Sequence, residues 1–272
     1  MLSRIKRFFN ILKQLDSEIQ FVQELKNLPL LSSRTKRVKR EIADFVFEKM
    51  DGYVFSGPFV NLRLKKDSIL AGTPSMILGC YEKELHPVFN RLIANPPTRF
   101  IDIGAALGYY VVGMARSTKK VDIVAFEMVF EYKAMAKDLA KHNQVEDRIT
   151  WKGLCDIQEL NKEVIPGTFI LCDCEGSEKE LLDPEKVPAL LNAEILVELH
   201  DFFAPGATVT IIDRFKHSHS ITLLNEQGRN PDDYRLLLSF KRVEAQFAIT
   251  ETRHLVSGLA TSCRFALLTP IR

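Results

Sequence analysis

Short apolar runs alternate with stretches of helical spacing from residue 99 onward. The apolar runs are 99–103, 121–126, 149–151, 168–172 and 195–199. The stretches 109–117 and 129–142 repeat their apolar residues at a helical period. Strands that are covered on both faces read as continuous apolar runs rather than as alternating ones. The pattern therefore predicts βαβ units and a parallel sheet, which is an α/β fold.

The flanking regions are read from the same pattern. Apolar residues at helical spacing predict helices over 2–30 and 37–50, and the segment 53–70 reads as extended. A loop leads into a helix over 78–93, and 177–191 reads as a helix broken by two prolines. The runs 221–224 and 264–268 are candidates for the last two strands. We therefore expect an N-terminal helical and extended region over 1–74, followed by one α/β domain over 75–272.

Composition and charge narrow the classes of protein. Hydrophobic residues make up 46% of the 272 residues, charged residues make up 26%, and the net charge is +2. No apolar run approaches the roughly 20 residues of a membrane-spanning helix, and no secretory signal is recognisable. The five cysteines have no zinc-type spacing, so a reduced compartment is expected and we predict a cytoplasmic protein.

Positive charge is concentrated at the start of the chain. Residues 1–40 contain 10 Lys or Arg and 3 Asp or Glu, a local net charge of +7. We expect a solvated helical pair that packs on the α/β domain. A peripheral membrane contact through a basic amphipathic helix is the alternative. Specific nucleic-acid binding is not expected, because residues 34–40 have no interleaved aromatic side chains for base stacking.

The segment that follows the first apolar run carries candidate ligand-binding chemistry. Asp102 is followed by small residues at Gly104, Ala105, Ala106 and Gly108, and a helix is predicted from 109. Small residues let a backbone approach a ligand, and a helix N-terminus offers N–H groups to a ligand carboxylate or phosphate. A carboxylate at the strand end can also attract a ligand ammonium. A zwitterionic amino-acid group needs both kinds of partner, whereas a pyrophosphate needs only the donors.

The spacing of the glycines separates two classes of nucleoside cofactor. A nicotinamide dinucleotide fingerprint is G-x-G-x-x-G, whereas this loop reads D-x-G-x-A-x-G with Ala106 at the middle position. Glu127 ends the next apolar run and can accept hydrogen bonds from a ribose diol. Binders of both cofactor classes share that acidic residue, so the loop spacing is what discriminates.

Three segments resemble one family. Residues 102–110 are similar to motif I of class I S-adenosylmethionine-dependent methyltransferases, and the match is closest to the FkbM-like branch. Residues 171–182 resemble the Asp-x-Glu-Gly-x-Glu stretch of that branch, and 79–84 resembles its Gly-x-Tyr-Glu segment. Ala106 departs from the branch, which usually has a polar residue there. The resemblance implies a Rossmann-like sheet of seven strands, with an antiparallel strand near the C-terminus, and S-adenosylmethionine as cofactor.

The resemblance and the strand ends together define a candidate cofactor site. Tyr81 and Glu82 are expected to cover the cofactor, Asp156 to face the adenine amino group, and Asp173 to face the methionine part beside Asp102. The complete set of candidate cofactor-binding residues is Tyr81, Glu82, Asp102, Gly104, Ala105, Gly108, Tyr109, Glu127, Met128, Asp156 and Asp173.

A hydroxyl acceptor also benefits from a base. His200 is the first candidate, since histidine accepts a proton near neutral pH, and Glu198 and Asp201 are the other catalytic candidates. These side chains and Asp173 are of types that bind Mg²⁺ or Mn²⁺, and some O-methyltransferases use a divalent cation. Carboxylates are common at the strand ends of this fold, so the sequence alone leads us to expect no metal. His217 and His219 are expected to face solvent before a strand.

The resemblance to the FkbM-like branch implies O-methylation of a sugar, glycan or other small hydroxylated molecule. A nucleic-acid or protein methyltransferase is the alternative. No Asn-Pro-Pro-Tyr or Asp-Pro-Pro-Tyr segment follows the fourth apolar run, where amino-methylating enzymes hold a flipped base. From other classes, an NAD-dependent oxidoreductase and a non-catalytic nucleoside-binding scaffold remain open.

Overall fold

The computed structural model describes residues 33–66, 68, 73–201, 203–250 and 264–271. The predicted basic helix over 2–30 lies outside these residues. Within the described part of the chain, no helix is both long and apolar enough to cross a bilayer.

Seven strands form one sheet, as the resemblance implied. They are β1 Arg99–Ile103, β2 Asp122–Phe126, β3 Ile149–Lys152, β4 Thr168–Cys172, β5 Glu194–Leu199, β6 His219–Asn225 and β7 Arg264–Pro270. Their order in the sheet is β3-β2-β1-β4-β5-β7-β6. The pairs among β1 to β5 are parallel, and β7 is antiparallel to both β5 and β6. The predicted fold class is confirmed.

Helices cover both faces of the sheet. They are α1 Ser33–Lys49, α2 Pro74–Leu78, α3 His86–Ala94, α4 Tyr109–Ser117, α5 Phe130–His142, α6 Ile157–Glu163, α7 Glu178–Leu181, α8 Ala207–Phe215 and α9 Arg242–Ile249. Short 3-10 turns occupy Lys83–Leu85, Glu146–Arg148, Pro188–Asn192, Pro231–Asp233 and Arg235–Ser239.

The central strands β1, β2, β4 and β5 are buried on both faces, as their sequence predicted, whereas β3 and β6 at the sheet edges are largely exposed or half-buried. In β1, Phe100 belongs to the core on one face, whereas Ile101 and Ile103 belong to the core on the other. Each of these side chains is at most 2% exposed. Burying an apolar side chain of this size contributes roughly 1.5–3 kcal/mol, so the strand is held from both sides.

The chain before residue 74 shares a core with the sheet. Ile42 and Val46 of α1 are fully buried in the same cluster as Phe100. Phe59 packs so closely on α4 that a Cβ on Gly113 would lie 2.5 Å from its ring. The Phe59 ring therefore explains why position 113 of that helix is a glycine. The domain boundary at residue 74 stays a prediction.

The described part of the segment predicted as extended, residues 53–66 and 68, consists of turns, bends and irregular backbone. This described part forms one isolated bridge, between Tyr53 and Arg63. Asn143 of the α5 end cap holds this segment through hydrogen bonds to the backbone N–H and carbonyl of Arg63, both at 2.9 Å.

The register of the sheet positions the candidate site. Asp102 pairs with Leu171, and Ile103 pairs with Cys172, so β1 and β4 end side by side. Because parallel strands bring their carboxyl ends to one edge, the residues after β1, β2, β4 and β5 face a common crevice.

Candidate functional site

The loop after β1 is tied to the end of β2. The backbone N–H groups of Gly104 and Ala105 both donate to the carbonyl of Phe126, each at 3.0 Å. Gly104 has a φ of +89°, and a Cβ there would lie 1.8 Å from the carbonyl oxygen of Asp173. The first glycine is therefore required by the close approach of the β1 and β4 ends.

The last glycine of the loop is required by helix packing. Gly108 has a φ of +86° and caps the N-terminus of α4. A Cβ on it would lie 2.9 Å from the Cβ of Ala136 in α5. Both glycines are thus explained by contacts within the chain, in addition to any closeness to a ligand.

Glu127 links this loop to the start of α5. Its Oε2 accepts a hydrogen bond from the N–H of Ala106 at 2.8 Å, and its Oε1 accepts one from Val129 at 2.7 Å. Ala106 has a φ of 45°, a left-handed conformation that is unusual for alanine, and this hydrogen bond helps to hold it. Each carboxylate oxygen can accept a further hydrogen bond, so the role predicted for Glu127 toward a ribose is still available.

Asp102 is a buried carboxyl with an unused oxygen. Its side chain is 2% exposed, and its Oδ2 has no hydrogen-bond partner among the described residues. Burial, and then the charge of Glu127, raise the pKa of Asp102 to about 7, while a hydrogen bond from the N–H of Val111 lowers it. A cation that reached Oδ2 would stabilise the ionised form of this side chain.

The segment around Tyr81 lies against the start of α4. The ring of Tyr81 meets the ring of Tyr109 edge to face, with centroids 5.7 Å apart. Glu82 is 4% exposed, has a φ of 43° and accepts a hydrogen bond from the hydroxyl of Tyr110. Tyr110 in turn stacks on Phe89 of α3, with centroids 4.6 Å apart. The fold therefore brings two of the three family-like segments together.

Tyr110 was absent from the predicted site. Its signal was the second aromatic residue of the pair at 109 and 110, but nothing in the sequence says which of two adjacent rings meets Glu82.

Met128 and Asp156 lie at the ends of β2 and β3 and are both exposed. Met128 is 70% exposed, and Phe130 and Leu154 beside these strand ends are 74% and 64% exposed. Asp156 caps α6, because its Oδ1 accepts a hydrogen bond from the N–H of Glu159 at 2.8 Å. The proposed contact of Asp156 with an adenine stays a prediction.

His200, just after β5, is surrounded by carboxylates. Its Nδ1 lies 3.1 Å from Oε1 of Glu178, and the same oxygen accepts a hydrogen bond from the His200 backbone N–H at 3.0 Å. Its Nε2 lies 3.5 Å from Glu175, 3.6 Å from Asp173 and 3.7 Å from Glu198. Asp173, Glu198 and His200, which sequence placed at strand ends, are thus brought together.

The environment of His200 shifts its pKa. Burial lowers the pKa, but the hydrogen bond to Glu178 and the carboxylates of Glu198 and Glu175 raise it by more than burial lowers it, so the pKa lies above its ordinary value. The carboxylates therefore stabilise the protonated form of the ring relative to a free histidine, and the role of His200 as a base stays a prediction.

Glu178 and Asp201 differ from the sequence-based picture. Glu178 is fully buried and orients the imidazole, although it was not among the predicted site residues. It is the last acidic residue of the Asp-x-Glu-Gly-x-Glu stretch, which was the available signal. Asp201 is exposed and accepts hydrogen bonds from the N–H and the hydroxyl of Thr208 in α8. It therefore faces α8 instead of the imidazole.

Similarity to known proteins is found among solved structures. No protein-family model and no curated protein sequence matches the chain. The O-methyltransferase TomG from Streptomyces achromogenes, involved in tomaymycin synthesis and solved with SAM, is 12% identical. Its TM-score is 0.45, and the match covers 90% of this chain and 93% of that chain.

Two further solved structures are similar. The O-methyltransferase from Bacillus cereus, solved with SAH, is 14% identical with a TM-score of 0.45, covering 92% of this chain and 96% of that chain. A SAM-dependent methyltransferase from Geobacter sulfurreducens, in complex with S-adenosyl-L-homocysteine, is 14% identical with a TM-score of 0.42. The match covers 70% of this chain and 90% of that chain. Each TM-score lies below 0.5, and the assignment of the fold rests on the strand order of the sheet itself.

Proposed function

We propose that this protein is an S-adenosylmethionine-dependent O-methyltransferase of the FkbM-like branch, which methylates a sugar, a glycan or another small hydroxylated molecule. The observation that carries the proposal is the buried carboxyl of Asp102, whose Oδ2 makes no hydrogen bond among the described residues. Leaving a buried polar atom without a partner is costly, and a ligand ammonium would satisfy it. The amino-acid end of S-adenosylmethionine provides that ammonium.

The loop is less suited to a dinucleotide. The N–H groups of Gly104, Ala105, Ala106 and Gly108 all donate to oxygen atoms of the chain. A pyrophosphate is bound mainly by such N–H groups, and these four are already used within the chain. A ligand that carries an ammonium and a ribose diol is compatible with both carboxylates.

The catalytic steps assigned to this chain are binding, orientation and proton removal. When bound, the cofactor supplies an electrophilic methyl carbon on its sulfonium. Asp102 would hold the ammonium of that cofactor, Glu127 would hold its ribose, and the Tyr81 segment would cover the site, which together would position the cofactor beside an acceptor. The acceptor hydroxyl loses one proton as its oxygen is methylated. We assign the removal of that proton to the cluster that His200 forms with the carboxylates around it.

Ligand binding tests the cofactor part of the proposal. Isothermal titration calorimetry with S-adenosylhomocysteine and with NADH should show binding of the first only. Asp102→Ala and Glu127→Ala should each abolish or strongly weaken that binding. Glu146→Gln, an exposed charge change before β3, is the matched control and should bind normally. Unchanged binding in both site variants, or a preference for NADH, would refute the assignment.

Methyl incorporation tests the acceptor class. The protein is incubated with labelled S-adenosylmethionine and with panels of glycans, hydroxylated small molecules, nucleic acids and peptides. We expect label only in the hydroxylated compounds. Label in nucleic acid or peptide would show that the proposed acceptor class is wrong. Cofactor binding with no labelled acceptor in any panel would favour a non-catalytic scaffold.

A further inference from the structure

We infer that Asp173, Glu175 and His200 form a binding site for a divalent cation of the Mn²⁺ class. The three residues offer one ligand atom each, and these atoms lie within 4.8 Å of one another. The site lies beyond the carboxyl ends of β4 and β5. Its residues differ from Asp102 and Glu127, so it does not depend on the function proposed above.

The separate observation that points to a ligand is the second nitrogen of His200. Only 7% of this residue is exposed, and its Nε2 has no hydrogen-bond partner within the described part of the chain. That nitrogen lies 3.5 Å from an oxygen of Glu175 and 3.6 Å from one of Asp173, too far for a hydrogen bond to either. A buried nitrogen aimed between carboxylates without bonding to them is the arrangement expected of a set of cation ligands.

The distances suit a metal better than they suit hydrogen bonds. Neighbouring ligands of an ion bound at about 2.0–2.2 Å are roughly 3.0–3.5 Å apart. The separations of 3.5 and 3.6 Å from Nε2 are close to that value, so small side-chain movements would complete the coordination. Glu198, 3.7 Å from Nε2, is placed to contribute a further oxygen or to bind a metal-bound water.

The other nitrogen of the ring is already fixed. Glu178 is fully buried and lies 3.1 Å from Nδ1. The same carboxylate also accepts hydrogen bonds from the backbone N–H groups of His200 and Gly176, at 3.0 and 2.8 Å. A carboxylate that holds one imidazole nitrogen as a donor directs the other nitrogen, with its lone pair, at a metal.

The backbone of the acidic ligands is also fixed. Asp173 is held by the close contact of its carbonyl with Gly104 and by its N–H, which donates to Ile103 at 2.9 Å. Glu175 has a φ of 53°, a left-handed conformation that brings its side chain toward His200.

Carboxylate oxygens with one imidazole favour Mn²⁺ among the common cations, because Mg²⁺ prefers oxygen ligands and Zn²⁺ prefers nitrogen and sulfur.

Mn²⁺ titration of the full-length, chelator-treated protein tests the inference. Loss of the free Mn²⁺ signal in electron paramagnetic resonance should reveal one saturable site per chain. Pulsed measurements on the bound ion should detect coupling to an imidazole nitrogen. His200→Ala should abolish that coupling and weaken binding at least tenfold.

Two further variants keep the test decisive if His200→Ala does not fold. Glu175 is 61% exposed, so Glu175→Gln should fold normally and still weaken Mn²⁺ binding at least tenfold. Glu180→Gln makes the same charge change at an exposed position of α7 and should bind Mn²⁺ like the unaltered protein. The inference is overturned if no saturable site appears, if bound Mn²⁺ shows no nitrogen coupling, or if Glu175→Gln binds as tightly as Glu180→Gln.

Titrating the same variants with Mn²⁺ and with S-adenosylhomocysteine separates this inference from the proposed function. Asp102→Asn should lose affinity for S-adenosylhomocysteine and keep the Mn²⁺ site. Glu175→Gln should show the reverse. Failure of the nucleoside to bind would leave the Mn²⁺ result standing, and absence of a Mn²⁺ site would leave nucleoside binding standing.

Discussion

A side-chain carbon on Gly104 would lie 1.8 Å from the carbonyl oxygen of Asp173, so the loop after β1 and the residue after β4 touch through their backbones. One contact therefore joins the proposed nucleoside loop to the proposed cation site. Nothing larger than glycine fits there unless β1 and β4 separate.

Gly104→Ala should consequently destabilise the protein. Overlap with backbone and a φ of +89° together should lower the free energy of unfolding by about 3 kcal/mol or more. Urea denaturation measures the change. Gly153→Ala is the control, because no atom of the described residues beyond its two chain neighbours lies within 4 Å of the added carbon, and its effect should stay within about 0.5 kcal/mol. Equal stability of the two variants would contradict the close contact.

Asp102 should make the ligand-free protein less stable as the pH rises. Its pKa is raised from 3.8 to about 7, so between these values the folded state binds more protons than the unfolded state. Its contribution to stability is therefore present below about pH 4 and is lost as the pH rises through 7. A tenfold difference in proton affinity between the two states corresponds to about 1.4 kcal/mol.

Comparison with Asp102→Asn isolates that contribution, since the amide does not ionise. The variant should be more stable than the unaltered protein at pH 8, and its advantage should shrink steadily toward pH 5. Denaturation series at several pH values measure this. A constant difference across the range would show that Asp102 does not titrate with a raised pKa.

Binding of S-adenosylhomocysteine near pH 6 should release a proton. An ammonium near Oδ2 favours the ionised carboxylate, so the pKa of Asp102 falls when the ligand binds. Calorimetric titrations in buffers with different ionisation enthalpies give the number of protons released. If Asp102→Asn still binds S-adenosylhomocysteine weakly, that binding should release no proton. A proton release of the same size in the variant would show that the proton comes from a group other than Asp102.

Tyr110→Phe should weaken the contact between the Tyr81 segment and α4. The change removes the hydrogen bond to the buried carboxylate of Glu82, and hydrogen bonds to charged groups contribute about 1.5–3 kcal/mol. The free energy of unfolding should fall by that amount, and the affinity for S-adenosylhomocysteine should fall with it. Tyr132→Phe, at a 43% exposed position of α5, should change neither quantity.

Much of the fold could be predicted because its strands are short, apolar and regularly spaced. The predicted runs at 99–103 and 168–172 coincide with β1 and β4. Local pattern was less informative where partners are distant in sequence. His219 was predicted to face solvent before a strand, and that was wrong. It is the first residue of β6 and is 2% exposed, with its Nε2 3.0 Å from the carbonyl oxygen of Ala193, which sequence spacing does not reveal.

The candidate site was predictable as a set of strand ends, but the direction of each side chain was not. His200 and Asp201 are adjacent, yet the first faces Glu178 and the second faces Thr208. Neither choice is encoded by periodicity, because both residues lie just beyond the last regular position of β5. The partners come from α7 and α8, and only the packed arrangement of those helices decides which residue each one meets.

The position of β7 between β5 and β6 affects how the protein is made. That strand follows both of its neighbours in the chain, so during synthesis β5 and β6 must wait with unpaired edges until residues 264–270 leave the ribosome. Unpaired edges invite association with other chains. Nascent or prematurely ended chains should therefore depend on chaperones far more than the finished protein does.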